Sequence, residues 1–209
     1  WVVWSLKHLA NLYEKQNQYV QAEPFYQRAL AIQEQQAFGP DHFDLVWSLN
    51  DLARLYTTQC LYAQAESLYQ RALEIREQAL GPDHPDVARS LSSLGDVYYD
   101  QGRYAQTEPL YLRALAVAEK VLGPDHPDLV RNLYSLFALY YVQGQYAKAE
   151  PFCKRMLLIR EQALGPNHPD VATNLHYLGA LYYAQEQYAE AEPLCKRALL
   201  ILEQIVGPD

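Results

Sequence analysis

The tetrapeptide Gly-Pro-Asp-His recurs along this chain at a constant step. It begins at Gly39, Gly81 and Gly123, returns with Asn for Asp at Gly165, and ends as Gly-Pro-Asp from Gly207. Each step is 42 residues, and Tyr62, Tyr104, Tyr146 and Tyr188 keep the same interval. A period between about 20 and 50 residues defines a repeat array, in which each unit buries its apolar face only against its neighbours. The 209 residues therefore form one array rather than one or two globular domains, with units at 1–43, 44–85, 86–127, 128–169 and 170–209.

Within a unit the apolar period is helical. Leu91, Leu94, Gly95 and Tyr98 stand at i, i+3, i+4 and i+7, one stripe of an α-helix. Asp100-Gln101-Gly102-Arg103 interrupts it, with Gly102 suited to the left-handed residue just past a helix end. Leu110, Tyr111, Ala114, Leu115, Ala118 and Leu122 form a second stripe, stopped by Gly123-Pro124. Asp125 or His126 can cap the next helix, with Pro127 in its first turn. Each unit is thus a hairpin of helix A and helix B. Helices A are expected near 2–16, 44–59, 86–101, 128–143 and 170–185, and no stretch alternates with the period of a strand.

Small residues mark where backbones approach: Ala10, Ala53, Gly95 and Gly179 on helix A, and Ala29, Ala72, Ala114 and Ala198 on helix B. Phe137 and Met156 replace them together in the fourth unit, which predicts local repacking and a wider A–B separation there. Tyr19 to Tyr62 is 43 residues, so the first unit carries one extra residue. It is assigned to Gln33–Gln36, as a bulge or a longer helix end. Pro24, Pro109, Pro151 and Pro193 fall about a turn into helix B, so the carbonyls of Val20, Ala105, Ala147 and Ala189 lose their ladder donor. Ser67 restores that donor for Ala63 in the second unit.

Half the residues are apolar, enough for a continuous core and against disorder. The net charge of −8 argues against a nucleic-acid surface over the whole molecule. No run of about 18 apolar residues predicts a membrane span. The chain opens on Trp1 and stops inside a repeated motif, so it reads as a piece of a longer protein. Three cysteines make no disulfide framework, and a reducing, cytoplasmic setting fits them. Cys153 and Cys195 take the position of Tyr26, Tyr69 and Tyr111 and read as core, while Cys60 takes the turn position of Gly102 and Gly144.

The spacing Leu-x-x-Leu-Gly-x-x-Tyr, then Ala, Tyr and Ala, resembles the tetratricopeptide repeat. It is carried by Leu49, Leu52, Ala53, Tyr56, Ala65, Tyr69 and Ala72, and again over Leu6 to Ala29, Leu91 to Ala114 (with Thr107 for an Ala), Leu133 to Met156 and Leu175 to Ala198. The HEAT repeat, of similar period, is the rival fold, and the Leu-Gly-Tyr and Ala-Tyr-Ala placement favours the tetratricopeptide repeat. The long unit ending in Gly-Pro-Asp-His-Pro is similar to the variety in kinesin light chains and bacterial arrays. The family's proline near the end of helix B is missing, and the added length is expected to extend helix B by about two turns. The resemblance implies an all-α, right-handed superhelical solenoid of five hairpins.

Nothing here reads as an enzyme. His42, His84, His126 and His168 lie one per unit along one edge, which suits capping rather than a metal site. The Glu-Pro pairs at Glu23, Glu108, Glu150 and Glu192 sit early in helix B, where Glu suits the positive helix end. No phosphate loop, nucleophile elbow or Cys-x-x-Cys is present, and no cofactor is implied.

The family's concave face is lined by helix A, and the resemblance carries its lining positions onto this chain. The first two units offer Trp4, Lys7, Asn11, Trp47, Asn50 and Arg54. The third offers Arg89 and Tyr99, the fourth Arg131, Tyr134 and Tyr141, and the fifth His176 and Tyr183. Asn and Arg in the N-terminal half suit a peptide backbone and a carboxylate, and tyrosine in the C-terminal half gives apolar area with a polar tip. The expected function is a scaffold holding a peptide or protein segment, acidic in character, in this groove. The alternatives are a spacer or oligomerising solenoid, or a sensor array beside a catalytic or nucleotide-switch domain. Trp1, Val2, Val3 and Trp4 at one end, and Leu199, Leu200, Ile201, Leu202, Ile205 and Val206 at the other, predict head-to-tail self-association.

Overall fold

The punctuation of the repeat becomes the punctuation of the helices. In the computed structural model, residues 1–36 and 43–206 are described, with side chains for 1–35 and 43–204. The first Gly-Pro-Asp-His, with His42, and the last Gly-Pro-Asp lie outside the described residues. Among those described there are ten α-helices and no strand: α1 (Val2–Lys15), α2 (Tyr19–Gln36), α3 (Leu45–Thr58), α4 (Tyr62–Leu80), α5 (Pro85–Asp100), α6 (Tyr104–Leu122), α7 (Val130–Val142), α8 (Tyr146–Leu164), α9 (Pro169–Ala184) and α10 (Tyr188–Val206). A single 3-10 turn, Pro127–Leu129, leads into α7. No described helix is long and apolar enough to cross a membrane. The odd-numbered helices fall on the expected A spans to within a residue or two, and the helices B from α4 onward run to 19 residues.

Histidine, not aspartate, makes the caps. His84 Nδ1 accepts from the backbone N–H of Asp86 at 3.1 Å, His126 from Asp128 at 3.2 Å and His168 from Asp170 at 3.1 Å. Each is followed by proline in the first turn, where a missing N–H costs nothing. Phe43 stands in that proline position before α3, and its N-cap residue Asp44 makes no side-chain cap. At the A–B turns Asn17, Cys60, Gly102, Gly144 and Glu186 all have φ between 58° and 71°, the left-handed region. The turn requires that conformation whatever the residue.

The chain divides into two compact units, Trp1–Leu110 and Tyr111–Asp209. In the first, α1 packs on α2, α2 on α3, α3 on α4 and α4 on α5; in the second, α7 packs on α8, α8 on α9 and α9 on α10. The small residues sit where the helices meet: Ala10, Ala29, Ala53, Ala72 and Ala114 are fully buried. A Cβ on Gly179 would lie 2.8 Å from Cys195 Sγ, so a larger residue there would displace that sulfur. Phe137 and Met156 are both buried, filling the space their alanine counterparts leave.

Three polar contacts recur between consecutive hairpins. In the first, a helix-A tyrosine donates to the Glu of the preceding helix B: Tyr56 to Glu23 at 3.0 Å, Tyr98 to Glu66 at 2.9 Å and Tyr182 to Glu150 at 2.9 Å. Two of the Glu-Pro glutamates, Glu23 and Glu150, are therefore acceptors for the next unit. In the second, an arginine of helix B pairs with a glutamate of the preceding helix B: Arg71 with Glu34 at 2.6 Å, Arg155 with Glu119, and Arg197 with Glu161 at 2.7 Å. In the third, a polar residue late in helix B bridges to a buried one in the next helix A: Gln33 to Ser48, Arg76 to Ser90 at 2.7 Å, and Arg160 to Asn174.

These pairs refine the placement of the extra residue. Gln33 and Glu34 still occupy the bridging and pairing positions that Arg76 and Glu77 occupy one unit later, so the insertion follows Glu34. Helix α2 is regular through Gln36, without a bulge among the described residues. The four internal prolines do not stop their helices. Val20, Ala105, Ala147 and Ala189 are exposed, so water can serve their freed carbonyls.

Two expectations from sequence fail at the C-terminal end. Cys153 is buried and its thiol is pushed up to about 12 by burial, but Cys195 is exposed. The helix that covers Cys153 is α9, and no described helix stands in that relation to α10. Ile201 is buried at 3% and belongs to the core with Val171, Ala172, Leu175 and Ala198, not to the exposed end.

Candidate functional site

The helix-A positions differ in kind between the two units. In the first, the stripe on α1, α3 and α5 is populated by charges that already have partners. Lys7 lies 2.7 Å from Asp51. Arg54 engages both carboxylate oxygens of Glu14, one at 3.0 Å, and Tyr26 donates to the same carboxylate at 3.0 Å. Burial, then Glu14, holds the Tyr26 hydroxyl well above the usual range. Arg89 pairs with Asp86 one turn earlier at 2.8 Å. The carboxylate recognition expected of Lys7, Arg54 and Arg89 is thus met within the chain.

What remains open in this unit is aromatic and amide surface. Trp4 is 59% exposed and stacks on His8 with ring centroids 4.4 Å apart. Trp47 is 55% exposed, with the Arg76 guanidinium 5.9 Å from its ring centroid. Asn11 is exposed, Asn50 half-buried, and Tyr99 packs against Tyr104 at 5.7 Å across the A–B turn.

In the second unit the stripe on α7 and α9 is aromatic. Tyr134 lies 5.5 Å from Tyr177 and 6.1 Å from Phe137; Phe137 in turn lies 5.6 Å from both Tyr141 and Tyr177. The four rings form one tilted cluster with Tyr134 at its open side, 43% exposed. His176 is exposed beside Tyr177, with centroids 6.4 Å apart. Tyr141 and Tyr183 each lean on the first tyrosine of the following helix B, Tyr146 at 5.5 Å and Tyr188 at 5.4 Å. Arg131, one turn before Tyr134, is exposed and makes no ion pair among the described residues. Among the described residues no group of three or more His, Cys, Asp or Glu could hold a metal ion.

Sequence reasoning missed the residues that complete these surfaces: His8, Asp51, Arg76 and Tyr177. Phe137 was visible as a small-to-large change, but its role as the floor of the ring cluster was not. The signal for Tyr177 was present, since an aromatic adjoining His176 on α9 lies one unit beyond Ser135 on α7. Arg76 carried no signal, because it belongs to helix B and reaches Trp47 from below.

Known proteins place this architecture. A family model described as tetratricopeptide repeat matches residues 1–78, 57–106 and 136–204, and a second of the same description matches 87–128. Comparison with curated proteins gave no significant match. Among solved structures, BtubC (BKLC) from P. vanneervenii is similar at a TM-score of 0.84 and 25% identity, covering 98% of this chain and 81% of that one. A putative kinesin light chain from Podosopora anserina with nearly identical TPR-like repeats matches at 0.84 and 24% identity, covering 96% and 95%. MamA from Desulfovibrio magneticus RS-1 shares the fold at 0.70 and 12% identity, covering 97% and 96%. With its period, its helical hairpins and family matches over most of its length in agreement, this chain belongs to the tetratricopeptide repeat family.

Proposed function

We propose that this chain is a protein-interaction scaffold that holds a peptide or protein segment against its helix-A stripe, and that it is not an enzyme. Tetratricopeptide repeats generally mediate protein–protein interaction. The observation that carries the reading is the ring cluster of Tyr134, Phe137, Tyr141 and Tyr177, open to solvent beside an unpaired Arg131. Rigid aromatic area next to a cation with no partner is the composition of an interface anchor. The partner's side chain entering there is apolar or aromatic, with an acidic neighbour for Arg131. The acidic character rests on Arg131, because Lys7, Arg54 and Arg89 are engaged. Trp4, Asn11, Trp47 and Asn50 give the first unit a less charged surface for the same class of ligand.

A peptide array probed with the chain identifies binders. Fluorescence anisotropy on the best of them then compares the parent with Tyr134→Ala and Arg131→Glu. Each substitution is expected to weaken binding about tenfold or more, and Arg131→Glu to flatten the salt dependence. Unchanged affinity in both variants would overturn the site. A second reading, self-association through the end hairpins, is supported by the exposure of Trp1, Val2 and Trp4 and of Leu199 and Leu202.

A further inference from the structure

One buried charge in the first unit lacks a counter-charge. Arg76, late in α4, is only 4% exposed and donates Nη1 to Ser90 Oγ at 2.7 Å. Its Nε is buried and bonds nothing, and among the described residues no carboxylate lies within ion-pairing distance of its guanidinium. Asp86 acts on it through space but is already paired with Arg89 at 2.8 Å. Burial, opposed by Asp86, moves the Arg76 pKa down from its ordinary value, yet an arginine stays protonated in a protein, so the charge persists.

The counterparts of Arg76 are better served. In the first hairpin Gln33 takes this position, accepts from Ser48 and donates to the Asp44 carbonyl at 3.1 Å. In the fourth, Arg160 donates to Asn174 Oδ1 and to the Asp170 carbonyl at 3.1 Å. In the third, Ala118 is buried there, so the packing of a hairpin does not require a cation. Above Arg76 stands the Trp47 ring, its centroid 5.9 Å from Cζ, 55% exposed on the helix-A stripe and without a hydrogen bond among the described residues. A buried charge is costly until it is paired. The Nε edge of a guanidinium offers two parallel donors to a carboxylate, and an indole face beside it offers apolar area to the carboxylate's stem.

We propose that Arg76 is an anion-binding residue: the segment held by this chain seats a glutamate or aspartate carboxylate on the Nε edge of Arg76, where α4 meets α3 and α5, with Trp47 turning aside to lie along its stem. The proposal rests on the scaffold reading for the class of ligand and adds an anchor in the first unit, apart from Arg131. With Arg89 held by Asp86, a single cation is offered, which suits the one charge of a carboxylate better than a phosphoryl group.

NMR of the arginine Nε–H groups reads the site directly, the Arg76 resonance being the one absent from Arg76→Gln. The probes are the capped peptide acetyl-Gly-Leu-Glu-Leu-Gly-amide, the same peptide with Gln for Glu, and inorganic phosphate. Glutamine is the replacement because Gln33 fills this position in the first hairpin. The Glu peptide is expected to shift the Arg76 resonance and to bind about tenfold more tightly than the Gln peptide. In Arg76→Gln that preference is expected to vanish while the melting temperature equals or exceeds the parent's, since an unpaired buried charge has been removed. The opposite pattern, a lower melting temperature with the preference intact, makes Arg76 purely structural and overturns the proposal. An Arg76 resonance that ignores the Glu peptide, or shifts alike with both peptides, overturns it too, and a shift with phosphate alone overturns the carboxylate assignment. The second-unit site is judged separately, at Tyr134 and Arg131, so either can fail without the other.

Discussion

At the A–B turn one backbone position decides which residues the sequence can afford. Five successive units place it at positive φ, and only Gly102 and Gly144 reach that region without a steric cost. Glu186, at φ 62°, carries a Cβ against the following carbonyl. Glu186→Gly is therefore expected to raise stability by about 1 kcal/mol, and Gly144→Ala to lower it by about as much, both read as shifts in the denaturant midpoint at constant slope. No change in either would mean that the turn relaxes out of the left-handed region. This position was legible from sequence because glycine recurs there, and the recurrence identified Cys60 as a turn residue by alignment alone. Cys195 was misread by the same alignment. Burial of a repeat position depends on the neighbouring hairpin, as α9 covers Cys153, and the pattern of one unit carries no information about that cover.

Between elements, the tyrosine–glutamate contacts turn a series of hairpins into an array. Removing the hydroxyl in Tyr56→Phe, Tyr98→Phe or Tyr182→Phe leaves a partly buried carboxylate short of a donor and is expected to cost about 1 kcal/mol in each case. Tyr13→Phe is the internal control. It has no glutamate to lose, so in dilute solution it is expected to be near neutral, and an equal cost there would assign the effect to the ring environment instead.

The same contacts set an acid limit. Arg103, with Tyr98 adding to it, holds Glu66 below the usual carboxylate range; Lys154, with Tyr182, does so for Glu150. A carboxylate whose folded pKa is depressed stabilises the fold above its unfolded value, near about 4.3, and loses that contribution as pH falls through the folded value. Stability is accordingly expected to drop below about pH 4.5, with Glu66→Gln and Glu150→Gln flattening that limb of the curve. A slope unchanged in both variants would show that other carboxylates govern acid unfolding. None of this was readable beforehand: the period revealed which residues recur, but a recurring Glu on helix B and a recurring Tyr on helix A meet only through the packing of one hairpin on the next. The ring cluster on α7 and α9 was half legible for the same reason, since Tyr134 and Tyr141 follow from helix position and Phe137 shares their helix, while Tyr177 joins them from α9.

At the scale of the molecule, stability in a repeat array is a sum of hairpins and the interfaces between them, so the ends are held least. Helix α1 has described neighbours on one side, α2 together with the Lys7–Asp51 and Glu14–Arg54 pairs to α3, and α10 likewise has α9 together with the Arg197–Glu161 pair to α8, whereas α3, α4 and α8 each pack on a helix before and a helix after them. Native-state hydrogen exchange is expected to show the lowest opening free energies in α1 and α10 and higher ones in the interior helices. The same measurement separates an intrinsically frayed end from one awaiting a partner. If a second copy seats its α1–α2 hairpin on α10, protection in both end helices rises with protein concentration, because binding adds to the opening free energy by mass action, while protection in α4 and α8 stays constant. Ends that exchange at the same rate in dilute and concentrated samples would rule out self-association through the end hairpins.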